Sequence, residues 1–315
     1  MEDRVLHQDN IKEQNIRQIR NILRQQKEMK IADIAKQTGL SYPTVSKLIK
    51  ELTEKKIVMQ CKEKASCGGR PGAKFTICAE YQQALLMYFE NGFLKCYVYD
   101  YSEKEIETRE YKAQQDISVG DIIAILYDFL EKYQNITILV LGIPGATLGK
   151  EIVYLPAYPR LVGNELARYC IEELGIDFYV ENDTNAIAFA EREGRTSFAH
   201  IAYINHCIGV GIIYEGNVME GANGYAGEME YLCENMKDVK QTLTTCILSL
   251  TCIMDLPEIL ISGDECYCGL GKELMDMLSD RMSRYRIPSI QIVEDITSYY
   301  KKGLKMRITY QWEQE

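Results

Sequence analysis

IADIAKQTGLSYPTVSKLIK, residues 31–50, holds two amphipathic segments hinged on one glycine. In the first, Ile31, Ile34 and Ala35 recur at i, i+3 and i+4, and Gly39 supplies the left-handed residue that closes a helix. Ser41 is placed to cap the second, with Tyr42 and Pro43 in its first turn, where a missing N–H costs nothing. Val45, Leu48, Ile49 and Leu52 then form an apolar stripe. The opposite face presents Tyr42, Thr44, Ser46, Lys47 and Lys50, hydroxyls and amines of the kind that reach base edges and phosphates in a major groove. Helix, tight turn, helix is the pattern of a helix-turn-helix whose second helix reads DNA. An ordinary αα-hairpin with a solvated face satisfies the same two helices taken alone.

The residues on either side narrow the choice. Ile57-Val58-Met59 and Lys74-Phe75-Thr76-Ile77 bracket Ser66-Cys67-Gly68-Gly69-Arg70-Pro71-Gly72, which predicts a hairpin with a basic tip, a wing. An arginine on such a tip suits a narrow minor groove. Upstream, Ile11, Ile16, Ile19, Ile22 and Leu23 predict a supporting helix over 10–26, with Arg17, Arg20 and Arg24 on a solvated face or near phosphate. Residues 1–80 hold 16 Lys and Arg against 10 Asp and Glu, whereas the whole 315-residue chain has a net charge of −10. A basic module on an acidic body fits site-specific binding to double-stranded DNA better than general coating of nucleic acid.

From Lys30 to Ile77, with TGLSYPTVSKLIKELTEKKIV followed by GGRP, the chain resembles the winged helix-turn-helix of regulators in the ROK (repressor, open reading frame, kinase) family. The resemblance continues through LGIPGA (141–146), YLPAYPR (154–160), VENDTNAIAFAE (180–191) and GANGYAGE (221–228). It implies an α/β protein: a winged helix-turn-helix domain over 1–80, then a two-lobed actin/hexokinase-like body over 81–315. The expected DNA contacts are Ser41, Tyr42, Thr44, Ser46, Lys47 and Lys50, with Gly69, Arg70 and Pro71 at the wing. A dimer or higher homo-oligomer would place two recognition helices on a palindromic operator.

The body's own pattern agrees. Strands are predicted at 85–89, 94–100 and 136–141, with a further candidate between Tyr101 and Ala113, and helices over 117–133 and 164–174. Phe178-Tyr179-Val180 is a strand, with Glu181-Asn182-Asp183 at its carboxyl end, where open α/β sheets bind ligands. Asn182 has donors and an acceptor for hydroxyls, and Asp183 can accept a proton. Asp183 can equally cap the helix that follows. In kinases of the family, the match to Asp183 is the general base and the match to Asn182 holds the sugar, while Glu228 matches the glutamate that accepts from sugar hydroxyls. The expected ligand contacts are therefore Asn182, Asp183 and Glu228.

Nucleotide contacts are eroded. Glu90-Asn91-Gly92-Phe93-Leu94 stands where the family has Asp-x-Gly-x-Thr, and Asn205-His206-Cys207-Ile208-Gly209 where it has Gly-Thr-Gly-x-Gly. Tyr231 takes the place of the family's histidine, and its cysteine-rich zinc motif is missing. His206 and Cys207, weighed as a metal pair, cannot close a site alone, and Cys266-Tyr267-Cys268-Gly269 follows the wrong strand. Neither cofactor nor metal is expected. Beyond these points, 237–254 and 272–284 read as helices and 290–293 as a strand, with a short polar tail after Ser298–Lys305.

The resemblance implies a sugar-responsive repressor of carbohydrate-utilisation genes without kinase activity. Two alternatives stay open: an active sugar kinase with an added DNA module, and a dimeric regulator that binds no effector. Eleven cysteines, an odd number, suit reduced thiols. With no signal-peptide core and no apolar run of membrane-spanning length, the chain reads as cytoplasmic, with no membrane partner.

Overall fold

In the computed structural model, residues 2–61, 72–204, 207–233, 238–263, 266, 269–293 and 296–314 are described. α1 (Glu2–Gln26) leads into β1 (Met29–Lys30) and the helical pair α2 (Ile31–Thr38) and α3 (Tyr42–Glu54). Gly39 follows α2 at φ 71°, in the left-handed region expected of it. Ser41 Oγ accepts the Thr44 N–H at 3.3 Å, and α3 buries Val45, Leu48, Ile49 and Leu52. β2 (Val58–Gln60) pairs antiparallel with β3 (Lys74–Ile77) to make the wing's stem. β1 pairs with the other edge of β3 and completes a three-stranded sheet. The tip bearing Gly69, Arg70 and Pro71 lies outside the described residues.

The body is one plan used twice. β4 (Gln83–Glu90), β5 (Phe93–Asp100) and β6 (Glu105–Lys112) form an antiparallel meander. α4 (Val119–Leu130), opened by a reciprocal Ser118–Asp121 capping box, returns the chain to β7 (Ile136–Ile143), parallel to β4. After the small hairpin of β8 (Ala146–Leu148) and β9 (Glu151–Tyr154) come α5 (Glu165–Arg168) and β10 (Asp177–Asn182), parallel to β7. The sheet order is β10-β7-β4-β5-β6. α6 (Asp183–Glu191) crosses to the second lobe, where β11 (Phe198–Ile204), β12 (Cys207–Tyr214) and β13 (Asn217–Val218) repeat the meander. α7 (Glu230–Cys233), α8 (Val239–Met254) and α9 (Leu270–Ser279) accompany β14 (Glu258–Gly263) and β15 (Ser289–Ile292), which add parallel to β11 and to each other. The order β13-β12-β11-β14-β15 mirrors the first sheet. Asn182 ends β10 and Asp183 opens α6, so both stand at a strand's carboxyl end, where open α/β sheets bind ligands.

Four expectations are corrected. The helix predicted over 164–174 is α helix only to Arg168 and then a π turn, Tyr169–Glu173. α9 stops at Ser279, and the basic run beyond it forms a 3₁₀ turn, Arg284–Arg286. What reads as a polar tail is the second half of α10 (Ile296–Gln314), with Trp312 fully buried. Its cations hide its amphipathicity because their stems lie along tyrosines: Lys301 Nζ stands 3.7 Å from the Tyr97 ring centre and Arg307 5.0 Å from that of Tyr179. Finally, Arg20 and Arg24 are neither solvated nor free for phosphate but buried against Tyr101 and Trp312.

That contact joins the winged helix to the body. Ile19, Leu23, Val45 and Leu52 share one buried cluster with Leu86, Tyr88, Val140, Leu304 and Trp312. α10 also presses on α6 so closely that a Cβ built on Gly303 would overlap the Ala186 carbonyl. Gly303→Ala is expected to force the helices apart, cost about 1–3 kcal/mol and lower the thermal midpoint by several degrees. An unchanged melting curve would contradict this packing.

Candidate functional sites: a recognition helix and an acidic cleft

On α3, Tyr42 is 56% exposed and Lys47 and Lys50 are exposed, while Thr44 and Ser46 are half-buried. The structure thus brings the predicted helical contacts onto one open face. Ser41 Oγ and Thr44 Oγ1 lie 2.8 Å apart, so both hydroxyls are held in place by the cap. Lys50 has only a loose exposed partner, Glu54 at 3.9 Å, and such pairs contribute little. Glu51, by contrast, accepts from Lys12 and Lys55 and ties α3 to α1. Those two lysines draw its carboxyl below the usual range.

In the cleft, β10 ends at Asn182 and α6 begins at Asp183. The helix cap is Asn182: its Oδ1 accepts the Asn185 N–H at 2.8 Å and the Thr184 hydroxyl at 2.7 Å, and its Nδ2 donates to the Gly145 carbonyl at 3.0 Å. One amide hydrogen is left for a ligand. Asp183 accepts the adjoining Thr184 N–H at 2.8 Å through one oxygen. Burial pushes its carboxyl up to about 6. Glu228, brought in by the Gly221–Glu228 loop, rises to about 7 through burial, then the charges of Glu230 and Asp183. Glu181, also raised to about 7 by burial, is steadied by Arg307 at 3.0 Å. The arrangement can bind polyhydroxylated ligands and accept a hydroxyl proton.

Three features escape sequence reasoning. Tyr300 is buried and, among the described residues, its hydroxyl has no hydrogen-bond partner; burial, then the charge of Asp183, holds its proton in place. Tyr154, Tyr225 and Tyr231 gather at the cleft mouth. Glu191, His200 and Ser262 form a hydrogen-bonded chain, with His200 Nε2 2.7 Å from Ser262 Oγ and Nδ1 bonded to Glu191. This is the order of a hydrolytic triad, but His200 and Ser262 are wholly hidden, so the chain ties α6 to the second sheet and meets no substrate. A histidine between the apolar residues of FAHIAYI is its one sequence signal. Asn205 and His206, of the eroded phosphate turn, lie outside the described residues, as do Tyr267 and Cys268.

A winged helix-turn-helix on a duplicated α/β body with a cleft of carboxylates defines a class, and comparison with known proteins agrees. The ROK family model matches residues 94–281, and a winged helix-turn-helix DNA-binding model matches residues 12–59. The chain belongs to the ROK family. It is similar to the DNA-binding transcriptional repressor Mlc of Escherichia coli (strain K12), 22% identical over 232 residues, 69% of this chain and 57% of that protein. It is likewise similar to the dual regulator NagC of the same organism, 23% identical over 71% of this chain and 58% of NagC. The matches therefore span less than two thirds of these curated relatives' length. Among solved structures, a ROK family transcriptional regulator described as a homolog of E. coli MLC superposes with a TM-score of 0.66 at 15% identity, covering 97% of this chain and 100% of that one. The ROK hexokinase of Thermus thermophilus gives 0.56 at 14% identity over 74% of this chain and 100% of its own. These likenesses establish the fold. Among the described residues, no helix is long and apolar enough to cross a membrane.

Proposed function

We propose that this protein is a DNA-binding transcriptional repressor that senses a sugar or sugar derivative and has no kinase activity. Residues 1–80 act as the reading head and residues 81–315 as the effector and dimerisation body. The observation that carries the proposal is the open face of α3, capped by Ser41 and backed by the buried Val45, Leu48, Ile49 and Leu52, on a module whose core continues into the sugar-kinase-like body. Tyr42, Thr44, Ser46 and Lys47 read the major groove, Ser41 and Lys50 meet phosphate, and Gly69, Arg70 and Pro71 bring the wing to the minor groove. The relatives named as repressors support this reading. Against kinase activity stand Glu90 and Leu94 in the first phosphate turn; Glu90 is, moreover, paired with Lys95.

An effector would act by binding the DNA-competent and incompetent arrangements of the dimer with different affinity. The test begins with operator selection from random duplexes, where a palindrome should emerge. Lys47→Ala should then weaken binding to it roughly tenfold and relax its specificity, while Lys50→Ala should weaken binding to all sequences and reduce the salt slope by about one ion. Arg70→Ala should also weaken binding. Equal affinity for selected and random DNA would reject the reading head, and steady ADP release from Mg-ATP with any sugar, abolished by Asp183→Asn, would reinstate the kinase.

A further inference from the structure

The mouth of the cleft has a composition that a neutral sugar does not require. Tyr154, from β9 in the first lobe, faces Tyr225, from the second, with ring centres 6.3 Å apart and planes tilted by 37°. The Glu228 N–H donates to the Tyr225 carbonyl at 3.3 Å, and Tyr231 follows three residues on, so the third ring lies by the same corner. Tyr225 is 42% and Tyr231 59% exposed, and Gly224 lies against the Thr147 carbonyl, holding the loop to the first lobe. Aromatic faces that stay open at a lobe boundary are available to a ligand rather than occupied by the core.

The charges that act on Glu228 and Tyr231 come from carboxylates. Glu228 and Glu230 both act on Tyr231, and Glu228, once buried, holds its proton more tightly still because Glu230 and Asp183 are near. Among the described residues, neither Asp183 nor Glu228 forms an ion pair; the nearby Arg307 is taken by Glu181, and Lys150 lies over Tyr179. Beneath them is the buried Tyr300 hydroxyl, without a partner and within the field of Asp183. Two carboxylates with no cation, a hidden unpaired hydroxyl and three tyrosine faces favour the same kind of guest. Carboxylates gain by charge, and the negative faces of aromatic rings attract cations.

We propose that the effector is an amino sugar with a free, protonated amine, its hydroxyls held by Asn182 and Asp183 and its ammonium taken up beside Glu228, between the carboxylates and the tyrosine rings. This rests on the cleft being the effector site, as argued above. A phosphorylated sugar is disfavoured by the same charges, since its dianion would meet carboxylates.

Calorimetric titration of the full chain at about pH 7.5, above the values of about 6 and about 7 to which burial raises Asp183 and Glu228, tests it, with glucosamine, galactosamine and mannosamine each compared with its N-acetyl form and its parent hexose. The expected result is that at least one amine binds ten or more times more tightly than both of its neutral counterparts. Glu228→Gln, checked for a melting midpoint no lower than the parent's, should shrink that preference about tenfold, and so should Tyr231→Leu. Neutral sugars binding as tightly as the amines would overturn the inference and leave the sugar-sensing reading intact. If no sugar of any set bound, both would fall. An amine preference indifferent to Glu228→Gln and to Tyr231→Leu would place the ammonium elsewhere and overturn the assignment.

Discussion

Trp312→Ala is expected to lower the main thermal transition by on the order of 10 °C and to split it, the winged helix melting before the body. Trp312 is fully buried, stands edge-on to Tyr101 with ring centres 5.3 Å apart, and lies under the Arg24 guanidinium at 5.9 Å. Its carbonyl accepts from Arg24 at 3.3 Å and from Arg20 at 3.4 Å. Removing a buried tryptophan costs about 3–5 kcal/mol, and a chain of this size loses roughly 2–4 °C per kcal/mol. The split follows from where the loss falls. Arg24 is already desolvated, which lowers its proton affinity, and two of its guanidinium nitrogens have no partner. With the indole gone, a buried cation faces a cavity, and separation of the two modules relieves it. Trp312→Phe should retain most of the midpoint. Scanning calorimetry decides, and a single transition at the original temperature would show that the two modules do not depend on this contact.

Asp183→Asn is expected to stabilise the free protein at about pH 8 by about 2–3 kcal/mol while weakening effector binding at least tenfold. The carboxyl titrates near 3.8 in an unfolded chain and at about 6 when folded, because burial opposes its charge. The folded state therefore holds the proton more tightly, so this group favours folding below about pH 4, and that contribution is lost as the pH rises through about 6. Above that, the charged form bears a penalty of about 1.4 kcal/mol for each tenfold difference in proton affinity between the folded and unfolded states. Asparagine is neutral throughout. The gain in midpoint should thus be several degrees at about pH 8 and vanish near pH 4, which melting curves of both proteins across that range would record. A variant no more stable than the parent at the alkaline end would mean that Asp183 bears no burial penalty. Binding groups kept at a cost to stability are common in functional sites.

Helix ends and turns were legible because their causes are local. Gly39, Ser41 and Pro43 each act within four residues of themselves, and α2, the turn and α3 fall where those residues require. Alternating or continuous apolar runs likewise located β4, β5, β7 and β10 to within two or three residues. β1 was hidden, since two residues, Met29 and Lys30, become a strand only through β3, more than forty positions away. α10 was hidden for a different reason: its buried side is built from Tyr300, Leu304, Ile308 and Trp312 among lysines whose stems lie on tyrosines, so polarity counts misjudge it. In the cleft, Asp183 and Glu228 could be picked out by motif, but the near-saturation of Asn182's amide depends on Gly145, and the tyrosine corner on two lobes meeting. Neither has a sequence period to reveal it.

Tyr300 and Trp312 sit twelve residues apart on one continuous helix, about 18 Å at 1.5 Å per residue. A pivot of about 10° at the Tyr300 end sweeps the Trp312 end through roughly 3 Å. That is close to the roughly 3.4 Å between successive nucleotides along a DNA strand. The arm of the lever is fixed by the fold: Gly303 holds the fulcrum against α6, whose first residue is Asp183, and the arginines of α1 grip the far end. A tilt of α10 that is negligible beside Asp183 would be felt in full by the α1 arginines that hold its other end.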